Sequence, residues 1–123
     1  SLDEYKRRAA ILDFMPVGVL VLDKSGNIKA LSPQVCIILG LEEQDRANIS
    51  CCFFDFIAKT ERAAFMSFFE SVSSSEKDIL GLLSTIDIPS KPSVKVVISL
   101  RLWPSKEFYP EAISACILPV SQR

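Results

Sequence analysis

The sequence predicts an α+β fold built on one five-stranded antiparallel sheet with helices packed against it. Three observations predict this fold: a tight hairpin followed by a capped helix, an amphipathic helix with a stripe of phenylalanines, and three apolar segments after residue 78. The chain has 123 residues, of which 49% are hydrophobic. This length and composition fit a single domain with a substantial buried core.

The predicted hairpin lies near the start of the chain. Residues Gly18–Leu22, GVLVL, form a β-branched and aliphatic run that is too short for a stable helix. A turn follows, in which Gly26 or Asn27 supplies the positive φ that a tight reversal requires. The chain then returns as a second predicted strand over Ile28–Leu31.

A short helix is predicted directly after the hairpin. Ser32 is the N-cap candidate because its hydroxyl can accept an unpaired backbone N–H of the first turn. Pro33 suits the first helical position, where no donor is needed, and Gly40 suits a left-handed C-cap. These residues together predict where the helix begins and ends.

A longer helix is predicted in the middle of the chain. Residues 41–50 are polar and without periodicity, which predicts a loop or a single helical turn before it. The helix begins at Thr60 or a neighbour, and the serines from Ser71 to Ser75 with Glu76 predict a polar loop that ends it. Its apolar stripe at helical spacing is first of all core, and consists of Phe65, Phe68, Phe69 and Val72.

The last part of the chain predicts three strands, over residues 79–88, 94–103 and 112–118. One face of the middle strand is apolar, with Val94, Val96, Ile98, Leu100 and Leu102. Its other face is mixed, with Lys95, Val97, Ser99, Arg101 and Trp103. Prolines in both connections predict hairpin loops between antiparallel neighbours: Pro89, Pro92, Pro104 and Pro110.

Composition excludes several function classes. Fourteen basic and 15 acidic residues leave a net charge of −1. A nucleic-acid-binding domain would need an excess of positive charge to neutralise phosphates, so we expect no direct binding to nucleic acid. No apolar run is long enough to span a bilayer and no secretion signal opens the chain, so we expect a cytoplasmic location. The chain has no His, so Ser-His-Asp and Cys-His catalysis lack their usual base and we expect no enzyme.

The four cysteines are expected to be buried thiols, because all of them stand in apolar stretches of a chain large enough to fold without disulfides: Cys36, Cys51, Cys52 and Cys116. Adjacent Cys51 and Cys52 do not have the C-x-x-C spacing of a zinc site, and no His completes a ligand set. We therefore predict no metal site.

Two segments resemble the PAS domain family. MPVGVLVLD, with its hairpin glycine and a capped helix ending in LG, resembles the opening of a PAS domain. CCFFDFIAKTERAAFMSFF resembles the family's short buried turn, acidic residue, Arg and amphipathic helix. The resemblance covers nearly the whole chain. It implies the strand order 2-1-5-4-3, helices on one face, and a sensory module without catalysis of its own.

The resemblance also implies a small molecule, or merely a packed core, between the sheet and the helices. Our face assignment gives this pocket an apolar, sulfur-rich wall made of Val21, Leu31, Cys36, Leu39, Cys52, Phe56, Phe65, Phe69, Leu82, Ser84, Ile98, Leu100 and Cys116. Few polar groups converge there, so we expect an apolar ligand or no ligand rather than a charged metabolite.

Known PAS cofactors can be compared with these residues. The usual His ligand of haem is absent, which excludes His-ligated haem. The flavin-binding branch carries a motif resembling G-x-N-C-R-F-L-Q, of which ISCCFFDF shares only a Cys and a nearby Phe. An acidic metabolite would need a positively charged side chain in the pocket, and Arg62 is the candidate for it. The alternative is that Arg62 is a solvated surface residue beside Glu61. The identity of any cofactor stays open.

Residues 1–15 are predicted to form a separate amphipathic helix, ahead of a PAS domain over residues 16–123. Pro16 prevents its continuation, and its apolar seam consists of Leu2, Tyr5, Ala9 and Leu12. The seam either packs on the domain's own sheet or pairs with a second copy. The resemblance implies frequent dimerisation through such a leading helix, so we expect a homodimer.

Two positions depart from the PAS pattern. Ser32 stands where many members have Asn, and Ser can still cap a helix. At the exit the chain reads Pro119, Val120, Ser121 instead of an Asp-x-Thr-like motif. Pro119 cannot donate a ladder hydrogen bond, so the last strand should end there or lie at an edge. Whether a signal leaves the domain through the leading helix or through an atypical segment after the last strand therefore stays open.

The leading hypothesis is a regulatory PAS sensor of a larger bacterial signalling protein, attached to an effector such as a histidine kinase, a diguanylate cyclase or a transcription factor. The alternative is a ligand-free module for homodimerisation or partner docking. A third hypothesis is a thiol redox sensor at Cys51 or Cys52, which requires an exposed thiol with a lowered pKa.

Overall fold

A computed structural model of the protein describes residues 18–75, 77–103 and 111–120. The strands are β1 Gly18–Leu22, β2 Ile28–Leu31, β3 Ile79–Ile86, β4 Val94–Leu102 and β5 Ile113–Pro119. The helices are α1 Pro33–Leu39 and α2 Lys59–Ser75, with two 3-10 helices between them at Glu43–Asn48 and Phe53–Phe56. The predicted order of strands and helices is confirmed over these residues, and the predicted leading helix and the prolines 104 and 110 lie outside them.

All five strands form one antiparallel sheet in the order β2-β1-β5-β4-β3. This is the predicted order. The apolar sides of both helices pack with the strands in one buried cluster, through Val35, Cys36 and Leu39 of α1 and Phe65, Phe69 and Val72 of α2. Both helices therefore lie on the same face of the sheet.

The predicted turn and the predicted C-cap both contain left-handed glycines. Gly26 has φ +86° in the β1–β2 turn, and Gly40 has φ +70° after α1. The Leu41 N–H donates to the Cys36 carbonyl oxygen at 2.8 Å, which satisfies an otherwise unpaired carbonyl of the last turn. Both positions follow directly from the freedom of glycine at positive φ.

Ser32 stands at the N-cap of α1 with extended backbone, but its hydroxyl caps no helical N–H. The prediction of a side-chain cap was wrong. The Ser32 Oγ instead accepts the Val19 N–H of β1 at 2.9 Å, and the side chain is fully buried. The hydroxyl thus joins the helix start to the neighbouring strand.

The serines at the end of α2 are helical, so the predicted polar loop over Ser71–Ser75 was wrong. The Ser71 hydroxyl donates to the Ser67 carbonyl oxygen and the Ser74 hydroxyl to the Glu70 carbonyl oxygen. Serine can satisfy its hydroxyl with such an i−4 bond inside a helix, so a run of serines does not have to end one.

The last strand ends where Pro119 predicts. Pro119 is the final residue of β5 and pairs with Val96, and the next donor to β4 is the Val120 N–H, at 2.9 Å from the Lys95 carbonyl oxygen. β5 itself lies in the centre of the sheet, between β1 and β4. Among the described residues, no helix is long and apolar enough to cross a membrane.

Candidate ligand site

The interior between the sheet and the helices brings together most of the predicted pocket. Seven of the predicted residues are buried there in one apolar cluster: Leu31, Cys36, Leu39, Phe65, Phe69, Ile98 and Leu100. They come from β2, both helices and β4. A region of this composition can bind an apolar molecule.

Four further predicted residues lie at the edge of this cluster. Cys52, Phe56 and Leu82 are half-buried against it. Ser84 is buried on the same face of β3, opposite Val96. The predicted wall thus continues to the β3 edge of the sheet.

Val21 and Cys116 were wrongly assigned to this wall. Val21 is buried, and Cys116 is half-buried, in a second cluster that contains Val19, Trp103 and Ala112. The register shows why: Cys116 pairs with Ser99, whereas its neighbour Ile117 pairs with the interior residue Ile98. Because successive side chains point to opposite faces, Cys116 faces away from the helices. Both strands carry apolar residues on both faces, so their sequences do not reveal which side is interior.

Two aromatic residues of the interior were missing from the predicted wall. Phe53 is fully buried and Phe54 is 9% exposed, whereas the predicted Phe56 is only half-buried. The Phe54 ring makes edge contacts with Phe65 and Phe69, at centroid distances of 5.9 and 5.0 Å. Phe53 contacts Phe65 in the same manner at 5.7 Å. The sequence FFDF indicates large aromatic side chains, but it is the 3-10 conformation that determines which of the three rings are buried in the interior.

A shallow groove of about 190 Å³ runs between α2 and β3. Three of its residues belong to the predicted wall, namely Phe65, Leu82 and Ser84. Phe68 and Leu83 form its exposed apolar rim. The stripe on α2 is therefore divided, with Phe65, Phe69 and Val72 in the core and Phe68 at the surface.

Arg62 lies in a separate cleft of about 380 Å³ at the start of α2, which is lined by both charged and apolar residues. Asp55, Lys59 and Asp87 also line this cleft. The Arg62 Nη2 donates to the Ile57 carbonyl oxygen at 3.0 Å and to the Asp55 carbonyl oxygen at 3.4 Å. The guanidinium thus braces the turn before the helix, so it is neither in the apolar interior nor fully solvated.

The four cysteines are free thiols, with Cys36 buried and the other three half-buried. Burial raises the pKa of Cys51, and the neighbouring Cys52 and Asp55 raise it further. A raised pKa disfavours the thiolate that redox sensing needs, so Cys51 does not fit that role. Among the residues that the structure describes, no cluster of His, Cys, Asp or Glu could hold a metal ion.

The face of the sheet away from the helices carries a second apolar surface. Val97 lies between Leu83 of β3 and Leu118 of β5, and these two leucines are 62% and 49% exposed. Trp103 is instead buried on this face with Val19, Val21, Ala30 and Ala112. The seam predicted to pack on this face or on a second copy lies outside the described residues.

No protein-family model matches the chain, and no curated protein is similar to it. Solved structures are similar in fold. The PAS domain of an HTR-like protein from Haloarcula marismortui has a TM-score of 0.70 and 15% identity, over 98% of this chain and 100% of that one. The Rhodobacter sphaeroides LOV protein has a TM-score of 0.72 and 10% identity, over 99% and 69%.

A third similar structure is a domain of a sensory box sensor histidine kinase/response regulator from Geobacter sulfurreducens. It has a TM-score of 0.65 and 12% identity, over 95% of this chain and 96% of that one. Identities this low show the fold alone. The chain has the PAS fold, as the two quoted segments indicate.

Proposed function

We propose that this chain is a sensory PAS module of a larger bacterial signalling protein, in which a small apolar ligand in the interior biases the packing of the helices against the sheet. The module acts in the cytoplasm on an attached effector and has no catalysis of its own. A ligand can act in this way only if it interacts differently with two packings.

The observation that carries the proposal is the convergence of the predicted wall residues on one apolar interior in a PAS fold. Seven of them are buried in a single cluster, and aromatic rings from the second 3-10 helix and α2 meet there. The similar solved domain of a sensory box sensor histidine kinase/response regulator supports an attached effector. Four free thiols fit a reducing compartment, and the lack of any His fits a role without catalysis.

Native mass spectrometry of the gently purified protein tests this proposal. We expect a non-covalent adduct that is released on collisional activation. Ala115→Leu should abolish the adduct because Ala115 is fully buried on the interior face of β5. Cys116→Leu is the matched control, since Cys116 is the next residue and lies on the opposite face. An adduct that survives Ala115→Leu, or that never appears, would contradict an interior ligand.

The alternative is a ligand-free homodimerisation module. The specific observation in its favour is the apolar row of Leu83, Val97 and Leu118 on the outer face of the sheet, in which both leucines are exposed and Val97 is half-buried. Contiguous exposed apolar residues mark interaction surfaces on soluble proteins. A clean dimer without an adduct in the same spectra would select this alternative.

A further inference from the structure

Residues 51–58, named here the strap, connect the two edges of the sheet across its helical face. At the β2 edge, the Ile28 N–H donates to the Cys51 carbonyl oxygen at 3.0 Å, and the Phe53 N–H to the Gly26 carbonyl oxygen at 2.8 Å. At the β3 edge, the Ala58 N–H donates to the Thr85 carbonyl oxygen at 3.0 Å. Both ends of the strap are therefore anchored by backbone pairing, which satisfies part of each sheet edge.

The β3 anchor extends back to Phe56, whose carbonyl oxygen accepts the Asp87 N–H at 2.8 Å. Between the two anchors, the turn around Phe54 is held by longer bonds, among them the one from the Arg62 Nη2 to the Asp55 carbonyl oxygen at 3.4 Å. This turn is one turn of 3-10 helix, Phe53–Phe56, with an Asp55 N–H to Cys52 carbonyl bond of 3.1 Å and an Ile57 N–H to Phe54 carbonyl bond of 3.2 Å. Bonds of this i to i+3 type have poorer geometry than those of an α-helix or a sheet. Local opening should therefore begin in this turn.

Phe54 is the side chain that this turn places at the boundary between the interior and solvent. It is 9% exposed, whereas Phe53 is fully buried. The tip of its ring lies over Gly26, where a Cβ atom would be 2.6 Å from the ring carbons Cε2 and Cζ. The closed position of the ring thus depends on glycine in the β1–β2 turn. Outward rotation of Phe54 would vacate a space beside Phe65 and Phe69 without breaking either anchor.

We propose that Phe54 is the gate of the interior, and that a neutral ligand about the size of one aromatic ring takes the place of its ring against Phe65 and Phe69. This inference rests on the proposed function and specifies where its ligand enters. The ligand class follows from the edge contacts that the site already makes with a phenyl ring, at 5.0 and 5.9 Å. A charged ligand would lose its hydration there without gaining a partner from the two rings.

Amide hydrogen exchange of the wild-type chain tests the movement itself. The Asp55 and Ile57 amides should exchange about tenfold faster than the anchor amides of Phe53 and Ala58, because only the central turn opens. Equal exchange at all four amides would mean that the strap moves as one unit and would overturn the gate.

Benzene tests the vacated space. Phe54→Ala should melt roughly 10 °C lower than the wild type, and saturating benzene should recover part of this loss, with nuclear Overhauser contacts from benzene to the rings of Phe65 and Phe69. Phe68→Ala is the matched control, since Phe68 lies on the exposed rim of the α2–β3 groove, and benzene should not raise its melting temperature. If Phe54→Ala does not fold, Phe54→Leu replaces it. Benzene contacts confined to Phe68 and Leu83, or no benzene effect on the Phe54 variant, would overturn the proposal.

The gate and the proposed function can fail separately. An adduct in the native spectra together with equal exchange along the strap would support the proposed sensory function and contradict the gate. Fast exchange in the central turn together with benzene binding, but without an adduct in the native spectra, would support the gate and contradict the proposal that the protein carries a natural ligand.

Discussion

Single residues in this protein have roles that depend on partners distant in sequence. Arg46 belongs to the polar segment between the two helices, yet it is only 7% exposed. Its Nε donates to the Leu31 carbonyl oxygen of β2 at 3.1 Å, and its guanidinium lies 3.5 Å from Glu43. A buried guanidinium needs such partners because its desolvation is costly. The sequence of residues 41–50 gives no sign of this burial.

Asp23 gives a pH-dependent prediction at this scale. Burial alone raises its pKa, but hydrogen bonds from Asn27 and from the Ser25 N–H, with the charge of Lys29, outweigh burial and lower the pKa below the ordinary 3.8. A lowered folded-state pKa stabilises the fold above pH 3.8, and this contribution is lost as the pH falls through the folded-state value.

Asp23→Asn should therefore lower the free energy of unfolding by about 1 kcal/mol at about pH 6 and by much less at about pH 2. Urea unfolding at both pH values measures this difference. Asp45→Asn, at an exposed carboxylate, is the control and should leave the stability nearly unchanged at either pH. A deficit of Asp23→Asn that is independent of pH would show that the charge of Asp23 does not stabilise the turn.

At the scale of elements, α2 is joined to the β3 edge by hydrogen bonds among three side chains. Glu61 accepts the Thr85 N–H through Oε1 and the Thr85 hydroxyl through Oε2, both at 2.7 Å. The Lys95 ammonium donates to the Thr85 Oγ1 at 2.7 Å and lies 4.0 Å from the Glu61 carboxylate. Because Thr85 is buried, these bonds satisfy polar groups that water reaches poorly.

Glu61→Ala should destabilise the fold by about 1–3 kcal/mol, because it leaves the buried Thr85 N–H and hydroxyl without their acceptor. Glu70→Ala is the matched control, since Glu70 is an exposed glutamate on the same helix. Urea midpoints measure both variants. A Glu61 variant as stable as the Glu70 variant would show that the helix is held to the edge by apolar contacts alone.

At the scale of the whole molecule, the sheet separates an interior shared with the helices from an outer face. Several outer-face residues are buried with Trp103, whereas Leu83 and Leu118 remain exposed. The predicted seam of the leading segment, Leu2, Tyr5, Ala9 and Leu12, offers one way to dimerise, and the exposed leucines offer another.

Leu12→Asp should convert a dimer to a monomer in light scattering, because a carboxylate in an apolar seam loses its hydration without gaining a partner. Lys6→Asp introduces the same side chain on the polar face of the predicted helix and should leave the dimer intact. If Leu12→Asp stays dimeric while Leu118→Asp is monomeric, the outer face of the sheet is the interface and the seam is not.

Local patterns determined most of the elements. GVLVL and IKAL around a glycine turn, Pro33 and Gly40 around α1, and the alternation of β4 require only the intrinsic preferences of neighbouring residues, and the structure agrees with them. The two PAS-like segments also indicated the strand order correctly. The apolar face of β4, including Ile98 and Leu100, was correctly assigned because only that face is consistently apolar.

The tertiary structure alone decided the positions where both faces of an element have the same character or where a polar group has a remote partner. Val21 and Cys116 could not be placed from sequence because β1 and β5 carry apolar residues on both faces, and only the pairing register fixes which side faces the helices. The Ser32 hydroxyl bonds to β1 instead of its own helix, and Phe53 and Phe54 turn inward at one 3-10 turn. The sequence by itself thus determined the elements and their order, because those depend on neighbours along the chain. The composition of the interior depends on contacts between residues far apart in sequence, and these exist only once the chain has folded.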